Sequence, residues 1–262
     1  MQRRAATAWL LALASAGLTA GCSAGHPVRP PGPPKVSAAQ ALAAAAGRGP
    51  VIRLGITPTA ADAAGLTGLQ LGYFRTQLGP GITLTPVPFT TPAAEAAALA
   101  AGRLDAAYLP PVQAVRAWTT SRQKITVIAG AATRRRHGHP ATAAVLAVTR
   151  RLLTRHPAMV TALLKAHIQA TSLLSTNKTA GNAAAAQEFT ALATRPVSHR
   201  ALTRELAKIT AASDPLPASI RKQASAAAAA GQVPPPPGLA GMYDLTPLNT
   251  LLRAAGLPAV HG

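Results

Sequence analysis

The sequence VIRLGIT at residues 51–57 is rich in β-branched and aliphatic residues and ends in a Thr-Pro turn, which predicts a buried strand. Thr59 and Thr91-Pro92 are typical helix starts, and Gly102 is a typical helix end. The predicted strands are residues 51–57, 82–89, 104–108, 125–130 and 145–149, and the predicted helices between them are 59–78, 93–101 and 111–120. Strands that alternate with helices at this spacing predict an α/β fold with a mainly parallel sheet of about five strands.

Beyond residue 149 the apolar residues recur at helical spacing, and no further strand is predicted. The predicted helices are residues 152–177, 180–194, 199–211, 216–230 and 246–255. We therefore expect an α/β lobe at residues 51–149 and a helical C-terminal part at residues 150–262 that packs on the lobe.

Composition limits the chemistry that the 262 residues can perform. The chain contains 26 Lys and Arg residues and seven Asp and Glu residues, which gives a net charge of +19. It has a single cysteine, so an intrachain disulfide is excluded. No nucleophile elbow, phosphate-binding loop, zinc-protease motif or pair of acids is present, so we expect neither an enzyme nor a cofactor. The basic residues are dispersed and aromatic residues make up only 3%, so nucleic acid is not an expected partner.

The first 21 residues have the pattern of an export signal. Arg3 and Arg4 precede the uncharged apolar stretch from Ala5 to Leu18, which is short for a membrane-spanning helix. The following residues, Leu18-Thr19-Ala20-Gly21-Cys22, resemble the lipobox of bacterial lipoproteins, which implies cleavage before Cys22 and a lipid on its sulfur. An ordinary signal peptide with an incidental cysteine is the alternative. Residues 22–50 would then form a Pro- and Ala-rich linker, and the protein would be anchored to the outer face of the bacterial cell membrane.

Several segments of the folded part are similar to one family of transport proteins. They are Leu104–Pro111, Ala114–Trp118, Ile125–Ala132, Leu153–Pro157, Val160–His167, Asp214–Ile220, Gly241–Leu245 and Leu248-Asn249. In this order they resemble the first lobe of periplasmic binding proteins of the nitrate/sulfonate/taurine class, which have the type II fold. Those proteins are the solute receptors of ABC importers, so the resemblance implies a small anionic solute and a permease and ATPase as partners.

The chain departs from that family where its second lobe would be. Family members place this lobe between the fourth strand and the returning strand, but here only the 14 residues 131–144 fill the interval. An independent domain needs at least about 50 residues. We therefore expect a shortened, single-lobed relative. Thr133-Arg134-Arg135-Arg136-His137 stands where family members carry a small, Gly-rich loop.

In such folds ligands bind beyond the carboxyl ends of the strands. The candidate contacts are Thr57, Pro58, Thr59, Thr90, Thr91, Tyr108, Leu109, Pro110, Ala131, Ala132 and Thr133. Hydroxyls and backbone N–H groups at helix starts suit an oxyanion. Thr57 and Thr59 are also ordinary turn and cap residues, and Tyr108 fits a core as well as a pocket wall.

Other polar residues have less direct interpretations. Asp105 is expected to fix a loop, since a carboxylate repels an anion. Arg134–Arg136 suits a solvated loop better than an anion clamp, and His137 and His139 lack the further ligands that a metal site needs.

The sequence thus favours an extracytoplasmic solute-binding lipoprotein of an ABC importer for sulfonate-, nitrate- or taurine-like anions. This protein would be a shortened, degenerate member of its class. The alternative is a cell-envelope interaction or scaffold lipoprotein that retains a single lobe. Because one wall of a cleft buries only part of a ligand, we expect weak solute binding by a monomer.

Overall fold

The computed structural model describes residues 50–193, 196–235 and 238–261. The predictions about the signal peptide and Cys22 lie outside the described residues. The strands are β1 (Val51–Ile56), β2 (Thr83–Pro88), β3 (Ala106–Leu109), β4 (Ile125–Arg136), β5 (His139–Thr149) and β6 (Ile209–Ala211). The helices are α1 (Ala63–Gln70), α2 (Tyr73–Leu78), α3 (Pro92–Ala100), α4 (Pro111–Thr120), α5 (Arg150–Arg155), α6 (Pro157–Thr176), α7 (Lys178–Leu192), α8 (His199–Ala207), α9 (Pro217–Ala229) and α10 (Thr246–Ala254).

The six strands form one mixed sheet in the order β2-β1-β3-β5-β4-β6. β1 pairs in parallel with β2 and β3, whereas β5 runs antiparallel to both β3 and β4. β1, β2, β3 and β4 therefore point the same way, and their carboxyl ends share one edge, here called the carboxyl edge. The opposite edge, where β1, β3 and β4 begin and β5 ends, is called the start edge.

Helices cover both faces of the sheet, and side chains that alternate between the two faces of each strand supply a core to each. The alternation is interrupted in β4, where irregular pairing with β5 places Ile128 and Ala129 in the same core. In β3, Ala106 and Tyr108 pack on one face, while Ala107 and Leu109 pack on the other. α1, α2, α6, α7 and α10 cover the first face, and α3, α4 and α9 cover the second. The predicted α/β lobe with a helical C-terminal part is confirmed. The expectation of a mainly parallel sheet of about five strands is wrong, because β5 returns from β4 to lie between β3 and β4, and β6 adds a sixth strand, so three of the five pairings are antiparallel.

Residues 131–144 form a hairpin rather than the expected loop. β4 continues to Arg136, β5 begins at His139, and the two strands pair along nearly their whole length. The two-residue turn has positive φ at both positions, 49° at His137 and 82° at Gly138, as a tight hairpin requires. The expectation that no second lobe occupies this interval is therefore confirmed, because two residues join the paired strands.

The C-terminal part contains one strand that the sequence did not predict. Residues 199–211 were expected to form a single helix, but α8 ends at Ala207 and β6 pairs with the outer part of β4. The predicted helix 59–78 is also divided, into a short turn followed by α1 and α2, because Gly72 adopts a φ of 68°. Within the described residues, no helix combines the length and apolar character needed to cross a bilayer.

Candidate functional site

The predicted contact residues lie at or near the carboxyl edge, but they differ widely in exposure. Thr90 and Thr91 are exposed, and Pro58, Thr59 and Pro110 are half-buried. The other six, which are Thr57, Tyr108, Leu109, Ala131, Ala132 and Thr133, are buried. The edge therefore offers a solute only a few of the predicted side chains directly.

Thr57 follows β1 and turns its hydroxyl inward. Its Oγ1 donates to Oε2 of Glu95 across 2.6 Å, and both side chains are buried. Glu95 lies in the first turn of α3, and Gly55 leaves room for it, since a Cβ there would lie 3.1 Å from its carboxylate. Burial and the nearby carboxyl of Asp62 raise the pKa of Glu95 well above its usual range. This environment therefore favours the protonated form of Glu95.

Thr59 makes an equivalent contact with a second buried acid. Its Oγ1 donates to Oδ2 of Asp62 across 2.8 Å, and Asp62 is only 2% exposed. Burial raises the pKa of Asp62 to about 8, against the effect of the Thr59 hydroxyl, which favours the charged form. Oδ1 of Asp62 and Oε1 of Glu95 have no hydrogen-bond partner among the described residues. The two threonines expected to meet a solute thus stabilise a pair of buried carboxyls.

Tyr108 belongs to the core rather than to a pocket wall. Its hydroxyl lies 3.0 Å from Nδ1 of His167 on α6, and both residues are fully buried. Burial lowers the pKa of His167 to about 4, opposed by the carbonyl of Gly130, so the ring is neutral at physiological pH. This contact holds α6 against β3 near the carboxyl edge.

The inner part of the β4–β5 hairpin is covered by the C-terminal part. Oγ1 of Thr133 donates to the carbonyl of Thr210 on β6 across 3.4 Å. Beside Ala131 a cavity of about 10 Å³ remains, which is at the lower limit for one water molecule, because Leu206 and Ile209 fill the space. The backbone of Arg134 still pairs with Ile209 of β6. Arg134–Arg136 is exposed, as expected, but it forms the end of β4 rather than a loop.

Asp105 has the structural role expected of it. It lies at the start edge, and its carboxylate forms a bidentate ion pair with Arg53, with N–O distances of 2.8 and 3.0 Å. The backbone N–H of Arg53 also donates to it. Asp105 therefore ties the beginning of β1 to the segment before β3.

The sequence showed no pair of acids and did not single out Asp62, Glu95 or His167, which are buried ionisable groups near the carboxyl edge. The available signal was the rarity of acids, since only seven occur in the chain, combined with the position of Glu95 in the first turn of a helix. In the described part of the chain, no three acidic, His or Cys side chains cluster closely enough to hold a metal ion.

The sequence matches no family model and no curated protein. Solved structures nevertheless share its fold. One is the alkanesulfonate-binding protein SsuA from Xanthomonas axonopodis pv. citri bound to MOPS, with a TM-score of 0.55 and 13% identity over 76% of this chain and 99% of that chain. Another is the periplasmic nitrate-binding protein NrtA from Synechocystis PCC 6803, with a TM-score of 0.57 and 8% identity over 80% of this chain and 90% of that chain.

A third similar structure is a Candida albicans protein described as having the generic periplasmic binding protein fold, with a TM-score of 0.58 and 9% identity over 75% of this chain and 97% of that chain. Identities this low establish the fold alone. The described part of the chain therefore has the periplasmic-binding-protein fold, in a shortened form in which a hairpin joins β4 to β5.

Proposed function

We propose that this protein is the extracytoplasmic solute-binding component of an ABC importer, reduced to one lobe, and that its solute is a small anion such as a sulfonate or nitrate. The observation that carries the proposal is the fold itself. Its neighbours include proteins named for binding alkanesulfonate and nitrate. An ABC permease and ATPase would be its partners, and no enzymatic step is part of the role.

The proposed solute contacts are the exposed groups of the carboxyl edge. Thr90 makes no side-chain hydrogen bond in the described structure, and the hydroxyl of Thr91 accepts from the backbone N–H of Ala94 while its own proton stays available. The half-buried Pro58, Thr59 and Pro110 would form the floor. Firm sites bury about 70–90% of a ligand, and a single wall cannot do so. Solute binding by the monomer is therefore weak unless another chain covers this edge.

A second candidate role is a cell-envelope scaffold that no longer binds solute. It is favoured by one observation: the hydroxyls of Thr57 and Thr59 donate to buried carboxyls, so neither is free to donate to an anion. The solute titration below separates the two roles.

The location also belongs to this proposal. A lipid on Cys22 would hold the lobe at the outer face of the cell membrane through the linker 22–50. Mass spectrometry of the mature protein tests this, with a diacylglyceryl group on Cys22 as the expected result and an N-terminus lacking Cys22 as the contrary one.

We expect millimolar binding of alkanesulfonate, taurine or nitrate by the fragment Pro33–Gly262, which contains every described core residue. Amide NMR shifts should change around Thr90 and Thr91 and stay unchanged at the start edge. Replacing the exposed Thr90 with Val should weaken binding about fivefold, since one solvent-exposed hydrogen bond with a net contribution of about 1 kcal/mol is lost.

The matched control for this titration is Thr83→Val, which alters an exposed threonine at the opposite end of β2. It should leave the affinity unchanged. If no shift changes at any concentration tested, the solute role is contradicted and the scaffold role is favoured.

A further inference from the structure

The start edge carries a cluster of cations around one shallow cavity. The cavity has a volume of about 310 Å³, and its lining includes Arg53, Asp105, Lys124, Arg150 and Arg151. Four basic residues and one acidic residue therefore line the same space. The carboxylate of Asp105 forms an ion pair with Arg53. Among the described residues, Lys124, Arg150 and Arg151 form no ion pair, and all three are exposed.

The backbone holds these like charges side by side. The N–H of Arg150 donates to the carbonyl of Lys124 across 2.7 Å, and the neighbouring residues Ile125 and Thr149 are paired where β4 begins and β5 ends. Like charges placed opposite each other destabilise a sheet. An anion in the cavity would offset this repulsion, and 310 Å³ is ample for the phosphate of a headgroup.

The chain also enters the fold at this edge. β1 begins at Val51, two residues before Arg53, and the apolar stretch Ala5–Leu18 precedes it in the sequence. Between Cys22 and Val51 lie 28 residues, which span at most about 90 Å when extended as polyproline II. A tether at Cys22 would thus keep the start edge within reach of a membrane and raise its local concentration there.

From these observations we propose that the start edge is a docking surface for an anionic lipid membrane, with Lys124, Arg150 and Arg151 binding headgroup phosphates around the 310 Å³ cavity. This inference rests on the proposed tether at Cys22. Docking through the start edge would direct the carboxyl edge of the lobe away from the bilayer.

Vesicle binding by the unlipidated fragment Pro33–Gly262 tests the surface without the tether. Vesicles of phosphatidylglycerol and phosphatidylcholine in equal parts should bind the fragment, and pure phosphatidylcholine vesicles should not. The triple variant Lys124→Gln, Arg150→Gln, Arg151→Gln should bind about 100-fold more weakly, since each basic residue near an anionic surface contributes about a fivefold factor. These side chains form no hydrogen bonds in the described structure, so amide NMR spectra should confirm an unchanged fold.

The hairpin tip supplies a matched control. Arg134, Arg135 and Arg136 are three exposed cations at the far end of the twelve-residue β4, roughly 35 Å from the start edge. Replacing all three with Gln removes the same net charge and should weaken binding by less than about threefold. Equal losses in the two variants would show that net charge alone drives binding and would overturn the proposal. The fragment lacks Cys22 and no solute is added, so this outcome is independent of the lipidation and solute tests.

Discussion

The free energy of unfolding is expected to fall as the pH rises from 6.5 to 8, because two buried carboxyls must stay protonated in the folded protein. Burial raises the pKa of Asp62 to about 8 and that of Glu95 well above its usual range. The unfolded chain has released both protons well below pH 6.5. Unfolding therefore releases protons in this window, and a carboxyl that is still protonated in the folded protein lowers stability by up to about 1.4 kcal/mol per pH unit.

At lower pH a third group acts in the opposite direction. Burial lowers the pKa of His167 to about 4, so the folded protein keeps this ring neutral at pH values where the unfolded chain protonates it. The contribution of His167 is complete above about pH 6.5 and is lost as the pH falls towards 4. The pH dependence should therefore be steepest above pH 6.5, where only the carboxyls contribute.

Glu95→Gln is the variant that isolates one carboxyl. A neutral amide still accepts the hydroxyl of Thr57, so the slope between pH 6.5 and 8 should become shallower, by at most about 1.4 kcal/mol per pH unit. Glu205→Gln is the matched control, because Glu205 is exposed and its pKa is lowered, chiefly by its hydrogen bond to Lys208. Urea unfolding at several pH values measures each slope. An unchanged slope in Glu95→Gln would contradict the burial of a neutral carboxyl at this edge.

Gly130→Ala is expected to destabilise the protein by about 3 kcal/mol, near the upper end for overpacking a core. A Cβ at Gly130 would overlap the backbone carbonyl of Asp214 and lie 2.8 Å from the backbone nitrogen of Pro215. These are backbone atoms and cannot rotate away. The N–H of Gly130 also donates to the carbonyl of Ser213 across 2.7 Å, so the clash would separate the segment before α9 from β4.

Thermal or urea unfolding measures this loss directly. Gly81→Ala is the control, because nothing lies within 4 Å of the added Cβ and the backbone is in an ordinary conformation. Its stability should change by less than about 0.5 kcal/mol. Equal stability of the Gly130 and Gly81 variants would show that the C-terminal part does not pack on β4 as described.

The sequence correctly predicts those helices and strands whose local residue preferences agree with the tertiary structure. Both ends of the helix Pro111–Thr120 were predicted correctly, because proline marks its first position and polar residues mark its last. β6 could not be predicted: Ile209–Ala211 continues a helical pattern of leucines, and pairing with β4 alone makes it a strand. Similarly, Arg134–Arg136 carries no apolar alternation, so the extension of β4 depends on its partner β5.

The interior of the candidate site depends on contacts between distant residues. Thr57 meets Glu95 across 38 residues of sequence, and Tyr108 meets His167 across 59. A single sequence places threonines after strands and so suggests ligand contacts, but it does not show which way their hydroxyls turn. Among the candidate threonines, Thr90 and Thr91 are exposed, Thr59 is half-buried, and Thr57 and Thr133 are buried.

Small-angle X-ray scattering of the fragment Pro33–Gly262, with and without a millimolar anionic solute, tests most directly whether this fold is a single lobe. The folded part should have a radius of gyration of about 17 Å, slightly enlarged by the linker, and the value should not change when solute is added. A clear decrease on adding solute would mean that two bodies close around a ligand, which would contradict a lobe whose strands β4 and β5 are joined by two residues.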